Sequence, residues 1–246
     1  VGDKEGPDGS PSSVDTKLLA AAAAHIAIHL ENAGLYDDMN TMFLGMLEAI
    51  TASIDAKDQY TCGHSRRVAL LTRQLAEGIG LDGATVKRMH IAGMVHDVGK
   101  IGVPEAVLCK AGRLTDAEYV QVQRHPEIGF GILKDIPSFD DILDGVRHHH
   151  ERFDGGGYPA KLAGEDIPLA ARLIALADAF DAMCSSRTYR DAMDRDAVLA
   201  EIEAGSGTQF DPALVPCFLK LDFSEWEQLI ASHGGMKPHA RLEDAA

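Results

Sequence analysis

Residues 89–100 read MHIAGMVHDVGK and residues 169–184 read LAARLIALADAFDAMC. Both stretches are apolar at helical spacing, yet each carries titratable groups inside the run: His96 and Asp97 in the first, Asp178 in the second. A helix that turns such groups inward must satisfy them, because burying them unpaired is costly. Working outward, nearly everything from His64 onward reads as helix, over about 64–80, 83–96, 115–124, 127–135, 138–150, 168–186, 194–204, 212–220 and 224–232. Thr115 with Glu118, and Ser224 with Glu227, have the spacing of capping boxes. Asp211-Pro212 reads as an N-cap followed by proline at the first helical position. Alternating β-branched runs are absent, so the sequence predicts an all-α fold.

The N-terminal part has a different character. Residues 1–16 (VGDKEGPDGSPSSVDT) offer almost nothing to bury and read as a flexible lead-in. Over residues 17–56, Leu18, Ala22, Ile26, Leu30, Leu35, Met39, Met42, Met46, Ile50 and Ile54 recur at helical steps. Gly34 and Gly45 each weaken this run by roughly 1 kcal/mol against Ala, and no proline ends it. Two readings stay open: one long helix that pairs with a second copy in a parallel dimer, or two shorter helices broken near Gly34. The expected division is a lead-in (1–16), a long helix (17–56), a main helical domain (57–222) and a C-terminal helix and tail (223–246).

Composition narrows the functional classes. The 246 residues carry 23 Lys+Arg against 38 Asp+Glu, a formal charge of −15. Such a balance argues against DNA or RNA as a partner, since that binding rests on neutralising phosphates. No uninterrupted apolar run of about 18 residues is present, so no membrane span is expected. Nor does the N-terminus have the basic and apolar regions of a secretion signal. Cys62, Cys109, Cys184 and Cys217 are scattered without metal or disulfide spacing, which suits a reducing cytoplasm.

The chemistry concentrates in a histidine–aspartate set. His64 opens one helix, His96-Asp97 end an apolar one, His125 sits at another terminus, and His148-His149-His150 close a further helix. Imidazole nitrogen and carboxylate oxygen without thiolate suits Fe, Mn or Zn. Asp97 has two oxygens and can bridge two ions, and two such ions suit in-line displacement at phosphorus. His25, His29, His90, His233 and His239 read as ordinary core or surface residues.

These residues spell motifs in order: His64-Ser-Arg-Arg-Val, His96-Asp-Val-Gly-Lys100, His125-Pro, His149-His-Glu-Arg-Phe-Asp-Gly-Gly-Gly157-Tyr158-Pro159, Asp178-Ala-Phe-Asp181-Ala and Arg187-Thr-Tyr-Arg190. Together with GSGTQFDP at 205–212 they resemble the HD-GYP domain, a branch of the HD metal-dependent phosphohydrolases that cleaves cyclic di-GMP. The stretch HIAIHLENAGLYDDM is more weakly similar to the last helix of a GAF sensor domain. The resemblance implies an HD-type helical bundle preceded by a long N-terminal helix. It implies one metal on His64, His96, Asp97 and Asp178, and a second on Asp97, His125, His149 and His150. Fe or Mn is expected, with Zn, Ni or Mg as other candidates. Members with a third metal use a glutamate four residues before the first histidine; Tyr60 stands there, so two metals are expected.

For the remaining motifs, Lys100 is expected to offset phosphoryl charge beside the catalytic Asp97. Gly157, Tyr158 and Pro159 are expected to line the substrate pocket, and Arg187 and Arg190 to grip phosphates through the guanidinium fork. Glu151 and Asp154 are expected to orient the neighbouring metal histidines. The implied activity is hydrolysis of cyclic di-GMP to linear pGpG, and on to GMP in a further step, by hydroxide generated between the two ions. An upstream sensor domain would control it through the N-terminal helix. The rival readings are a receptor that binds cyclic di-GMP without turnover, and an HD phosphohydrolase acting on mononucleotides.

Overall fold

The computed structural model describes residues 13–57, 63–110, 112–185 and 193–233. The lead-in up to residue 12, Tyr60, Cys62, Arg187, Arg190 and the tail after His233 lie outside the described residues. Among the described residues the fold is all-α, with one isolated β-bridge, between Ser206 and Phe210, and no strand.

Helix α1 (Ser13–Lys57) is continuous, so the N-terminal stripe is not broken near Gly34, and Ser13 to Thr16 of the expected lead-in belong to the helix. Gly34 and Gly45 have open space around them, so neither marks a break or a close contact. The chain divides into two compact units between Met46 and Leu47. In the first unit the large apolar side chains of α1 are exposed, among them Leu18, Ile26, Leu30 and Met39. One 18-residue window of α1 reaches a mean hydropathy of 1.3 with no part buried, so by length and composition this helix is able to cross a bilayer. Counting only uninterrupted apolar runs missed this, because a few scattered charges do not cancel the average.

The second unit, from Leu47 on, is a helical bundle. Its frame is α2 (His64–Gly78), α3 (Gly83–Val95), α7 (Leu143–His148) and α8 (Leu169–Cys184). Val68, Leu71 and Leu75 of α2, Ala92 and Met94 of α3, Val146 of α7 and Leu173, Ile174 and Ala177 of α8 are all buried, with α2 packed on α3 and α8, and α7 on α3 and α8. α2 and α3 approach closely because Gly93 has no side chain: a Cβ there would lie 3.0 Å from the Ala69 Cα. Between them and α7 run α4 (Glu105–Leu108), which periodicity did not predict, α5 (Asp116–Val122) and α6 (His125–Leu133). α5 starts on the expected capping box, with Thr115 and Glu118 bonding each other's backbone N–H.

Two expected caps differ. At α11 (Ser224–His233), Asp222 supplies the acceptor, taking the Ser224 N–H at 2.9 Å. Asp211 accepts from the Ala213 N–H at 2.8 Å, but this closes a turn, and α10 (Val215–Phe218) begins only afterwards. The predicted helix at 138–150 is likewise shorter, being a 3-10 turn at Pro137–Phe139 followed by α7. Finally, α9 (Arg195–Ala204), α10 and α11 close one end of the bundle. There Phe180, Phe218, Phe223 and Trp226 pack with ring centroids 4.7 to 6.5 Å apart.

Candidate metal centre

Four elements bring histidines to one point, and α2 supplies His64 as its first residue. α3 ends at Val95, so His96 and Asp97 leave the apolar helix at its C-terminus and enter a 3-10 turn (Val98–Gly102). That turn lies on the start of α6, and only a glycine permits the approach. A Cβ on Gly99 would stand 1.9 Å from the His125 carbonyl oxygen and 2.5 Å from the Gly129 N. The same contact carries Asp97 up to His125. From the other side, α7 ends at His148 and delivers His149 and His150.

Asp97 sits at the centre with its two oxygens facing different groups. Oδ2 lies 3.3 Å from His96 Nε2 and 3.6 Å from His64 Nε2, while Oδ1 lies 3.2 Å from His125 Nε2. His64 Nε2 also stands 3.2 Å from Asp178 Oδ1. Three sets of donor atoms each fall within 4.8 Å of one another: His64, His96 and Asp178; His96, Asp97 and His149; His125, His149 and His150. All seven residues expected to ligate metal are thus brought together. All are buried except Asp178 and His150, which are partly exposed.

The tautomers can be read from the partners. His96, His125 and His149 each direct Nδ1 at the backbone carbonyl three residues earlier, at 2.7 Å in every case. A carbonyl only accepts, so each Nδ1 carries a proton, and in the neutral ring Nε2 is left with a lone pair. Among the described residues His96 Nε2 finds no hydrogen-bond donor although it is fully buried, and the 3.3 Å approach of Asp97 Oδ2 sets a second acceptor against it. The Nε2 atoms of His125 and His149 approach to 3.2 Å. In neutral rings of these tautomers that places lone pair against lone pair, an arrangement a shared cation turns from repulsive to favourable. The donor set fits divalent metal ions for this reason.

Electrostatics follow the same geometry. Burial alone would raise Asp97, but Lys100 and His96 hold it well below the usual carboxylate range. Lys100 Nζ is 2.7 Å from Asp97 Oδ2, at the metal cluster where the sequence expects it. Burial and the charge of His150 push His149 far below the ordinary imidazole value, and burial with His125 takes His150 to about 3. Against burial, hydrogen bonds to Asp178 and Asp181 raise His64 to about 10.

The Tyr158 ring lies 4.9 Å from that of His150, and the Tyr158 N–H bonds the His150 carbonyl at 3.2 Å. Gly157 is wedged where a Cβ would be 2.4 Å from the Arg152 N. Gly157, Tyr158 and Pro159 therefore border the His150 side of the cluster. Burial raises the Tyr158 phenol, so at neutral pH it keeps its proton as a donor. His148 points away and lies 3.6 Å from Glu151 Oε1.

The expected role of Glu151 and Asp154 is corrected. Glu151 Oε1 accepts the Ala160 N–H at 2.6 Å and so braces the tyrosine loop. Asp154 pairs with Arg152 at 2.6 Å and takes the Gly156 N–H at 2.9 Å. Orientation of the imidazoles comes instead from the three carbonyls and from Asp181, to which sequence reasoning gave no role. Its signal was available: a carboxylate three residues beyond Asp178, on the same apolar helix. Asp55 was missed as well. Its two oxygens accept the Ser65 N–H and Oγ–H, at 3.1 and 2.7 Å, beside His64.

A family model described as an HD domain matches residues 48–214. The 3'3'-cGAMP-specific phosphodiesterase 2 of Vibrio cholerae is 33% identical over 224 residues, 89% of this chain and 42% of that protein. A cyclic di-GMP phosphodiesterase response regulator of Xanthomonas campestris is 40% identical over 177 residues, 71% of this chain and 47% of its own. The chain thus spans less than half the length of these two curated relatives. A crystal structure of a cyclic GMP-AMP specific phosphodiesterase of V. cholerae shares the fold, with a TM-score of 0.54 at 18% identity, over 76% of this chain and 52% of that one.

Proposed function

Since this chain belongs to the HD domain family, we propose that it is a metal-dependent cyclic dinucleotide phosphodiesterase, with cyclic di-GMP as substrate and linear pGpG as first product. The observation that carries the reading is the central carboxylate, whose oxygens face separate imidazole sets at 3.3 and 3.2 Å. In this reading His64, His96, Asp97 and Asp178 hold one divalent ion and Asp97, His125, His149 and His150 the other, with Fe or Mn as the ions. When bound, such a pair polarises a phosphodiester and lowers the pKa of water enough for attack near neutral pH. Lys100 offsets charge that builds on the phosphoryl oxygens. The Tyr158 phenol donates to a phosphate or stacks on a base, and Gly157 and Pro159 shape the wall beside it. Arg187 and Arg190 would grip the second phosphate.

The similarity to a 3'3'-cGAMP-specific enzyme supports a second substrate, the mixed guanine–adenine ring. Anaerobically purified protein, its metal content measured, should convert one or both dinucleotides to linear products. Binding without product in both the Fe- and Mn-loaded forms would instead make the domain a receptor. α1 would pair with a second copy and transmit a signal from an upstream sensor in the cytoplasm. Light scattering that finds a monomer at micromolar concentration would remove the pairing.

A further inference from the structure

His64 is held differently from its three neighbours. Where His96, His125 and His149 give Nδ1–H to a carbonyl of their own chain segment, His64 gives it to a carboxylate 117 residues away, Asp181, at 2.8 Å. Asp181 is wholly buried and collects three further N–H groups. Oδ1 accepts from Arg67 Nε at 2.6 Å and from Trp226 Nε1 at 2.8 Å. Oδ2 accepts from His64 Nδ1 and, at 2.9 Å, from Arg67 Nη2. Trp226 belongs to α11, beyond the stretch matched by the family model, and is the chain's single tryptophan.

We propose that Asp181 is the positioning residue that keeps His64 in the tautomer presenting Nε2 to the metal site, and that Trp226 decides what an imperfect replacement of Asp181 can do. The inference rests on His64 being a ligand as proposed above. A carboxylate satisfies all four donors because both its oxygens accept. An amide of the same shape has one accepting end. With its oxygen at the Oδ1 site it serves Arg67 Nε and Trp226, and its NH2 then faces Arg67 Nη2 and His64. His64 must accept there, which moves its proton to Nε2 and removes the lone pair from the metal site. With the amide reversed, His64 keeps its tautomer but two buried donors, Arg67 Nε and Trp226 Nε1, meet an NH2. Each unmatched buried donor is costly, so the first orientation wins by one such donor. Replacing Trp226 by Phe keeps the aromatic packing and deletes that donor, which leaves one Arg67 donor facing the NH2 in either orientation, Nη2 keeping a long 3.5 Å contact with Ser185 Oγ in the first.

The test uses the full chain with Zn2+ as probe, comparing wild type, D181N, W226F and the double variant by calorimetry. Wild type should bind two equivalents, and W226F should match it within about threefold. D181N should bind one of the two 10- to 100-fold more weakly, in the range seen when partners of ligating histidines are removed. The double variant should recover at least fivefold over D181N, the reverse of what accumulated packing damage would produce. Unchanged binding by D181N, or a double variant no better than D181N, overturns the inference while two Zn2+ in the wild type leave the metal reading standing. A wild type that takes up no Zn2+, Mn2+ or Fe2+ overturns both. Should D181N fail to fold, nitrogen-15 histidine spectra of Zn2+-loaded wild type decide: His64 protonated at Nδ1 supports the proposal, and His64 bonded to zinc through Nδ1 overturns it.

Discussion

Around His64 the cage alternates imidazole with carboxylate, Asp178 at 3.2 Å and Asp181 at 2.8 Å, whereas around His150 it is imidazole on imidazole, with ring centroids 4.2 and 5.0 Å from His149 and His125. Asp97 is common to both sides. The difference sets where protons reside in the metal-free protein. Burial would lower His64, but its carboxylate partners raise it from 6.5 to about 10, so that side stores a proton at neutral pH. On the other side burial and neighbouring imidazoles take His150 from 6.5 to about 3 and hold His149 well below its ordinary value, so those two rings are already neutral. A metal ion entering the first side must displace the His64 proton, whereas His149 and His150 have none to give up.

The most severe way to break the comparison is to remove what the two sides share. Asp97→Asn should abolish uptake of both ions and lower turnover on the order of 10³-fold or more, since metal polarisation supplies several kcal/mol of the barrier lowering. Loss of one equivalent only, measured by metal analysis, would show that Asp97 serves one side. Next comes the joint that brings Asp97 to His125. Gly99→Ala forces a Cβ into the His125 carbonyl and should cost about 3 kcal/mol, read as a drop in denaturation midpoint.

The proton argument predicts a smaller, graded effect. Between pH 6 and 8, affinity on the His64 side should rise at least tenfold per pH unit, at least one proton being released per ion, and more steeply than on the side of His149 and His150. Calorimetry in buffers of different ionisation enthalpy counts the protons directly. Stability of the metal-free protein should follow the same signs. The His64 contribution, from a raised pKa, is complete below pH 6.5 and is lost as pH climbs toward about 10. That of His150, from a lowered one, is complete above pH 6.5 and is lost as pH falls toward about 3. Thermal midpoints should therefore decline on both flanks. The least effect should come from the exposed pair between Arg73 and Glu225, which ties α2 to α11 at 3.1 Å. Arg73→Ala should cost less than about 1 kcal/mol, in contrast to the buried Arg67–Asp181 pair between α2 and α8.

The all-α architecture and the chemistry-bearing residues were legible in the chain itself because each signal is local. Apolar spacing marks α2, α3 and α8, the Thr115 and Glu118 pair marks the start of α5, and His96-Asp97 and His149-His150 stand adjacent at helix ends. What could not be read locally is which partners each group meets. Glu151 and Asp154 adjoin the clustered histidines in sequence and yet brace a loop, because α7 ends at His148 and the chain turns away. Asp181 and Trp226, 45 residues apart, meet at 2.8 Å only because α11 folds back on α8. Residue types and short spacings determined the helices and the metal-binding character, since those depend on one stretch of backbone at a time. The pairing of donors with acceptors, and with it the proton held by each imidazole, was decided by packing alone, because hydrogen bonds depend on distances that sequence separation does not encode.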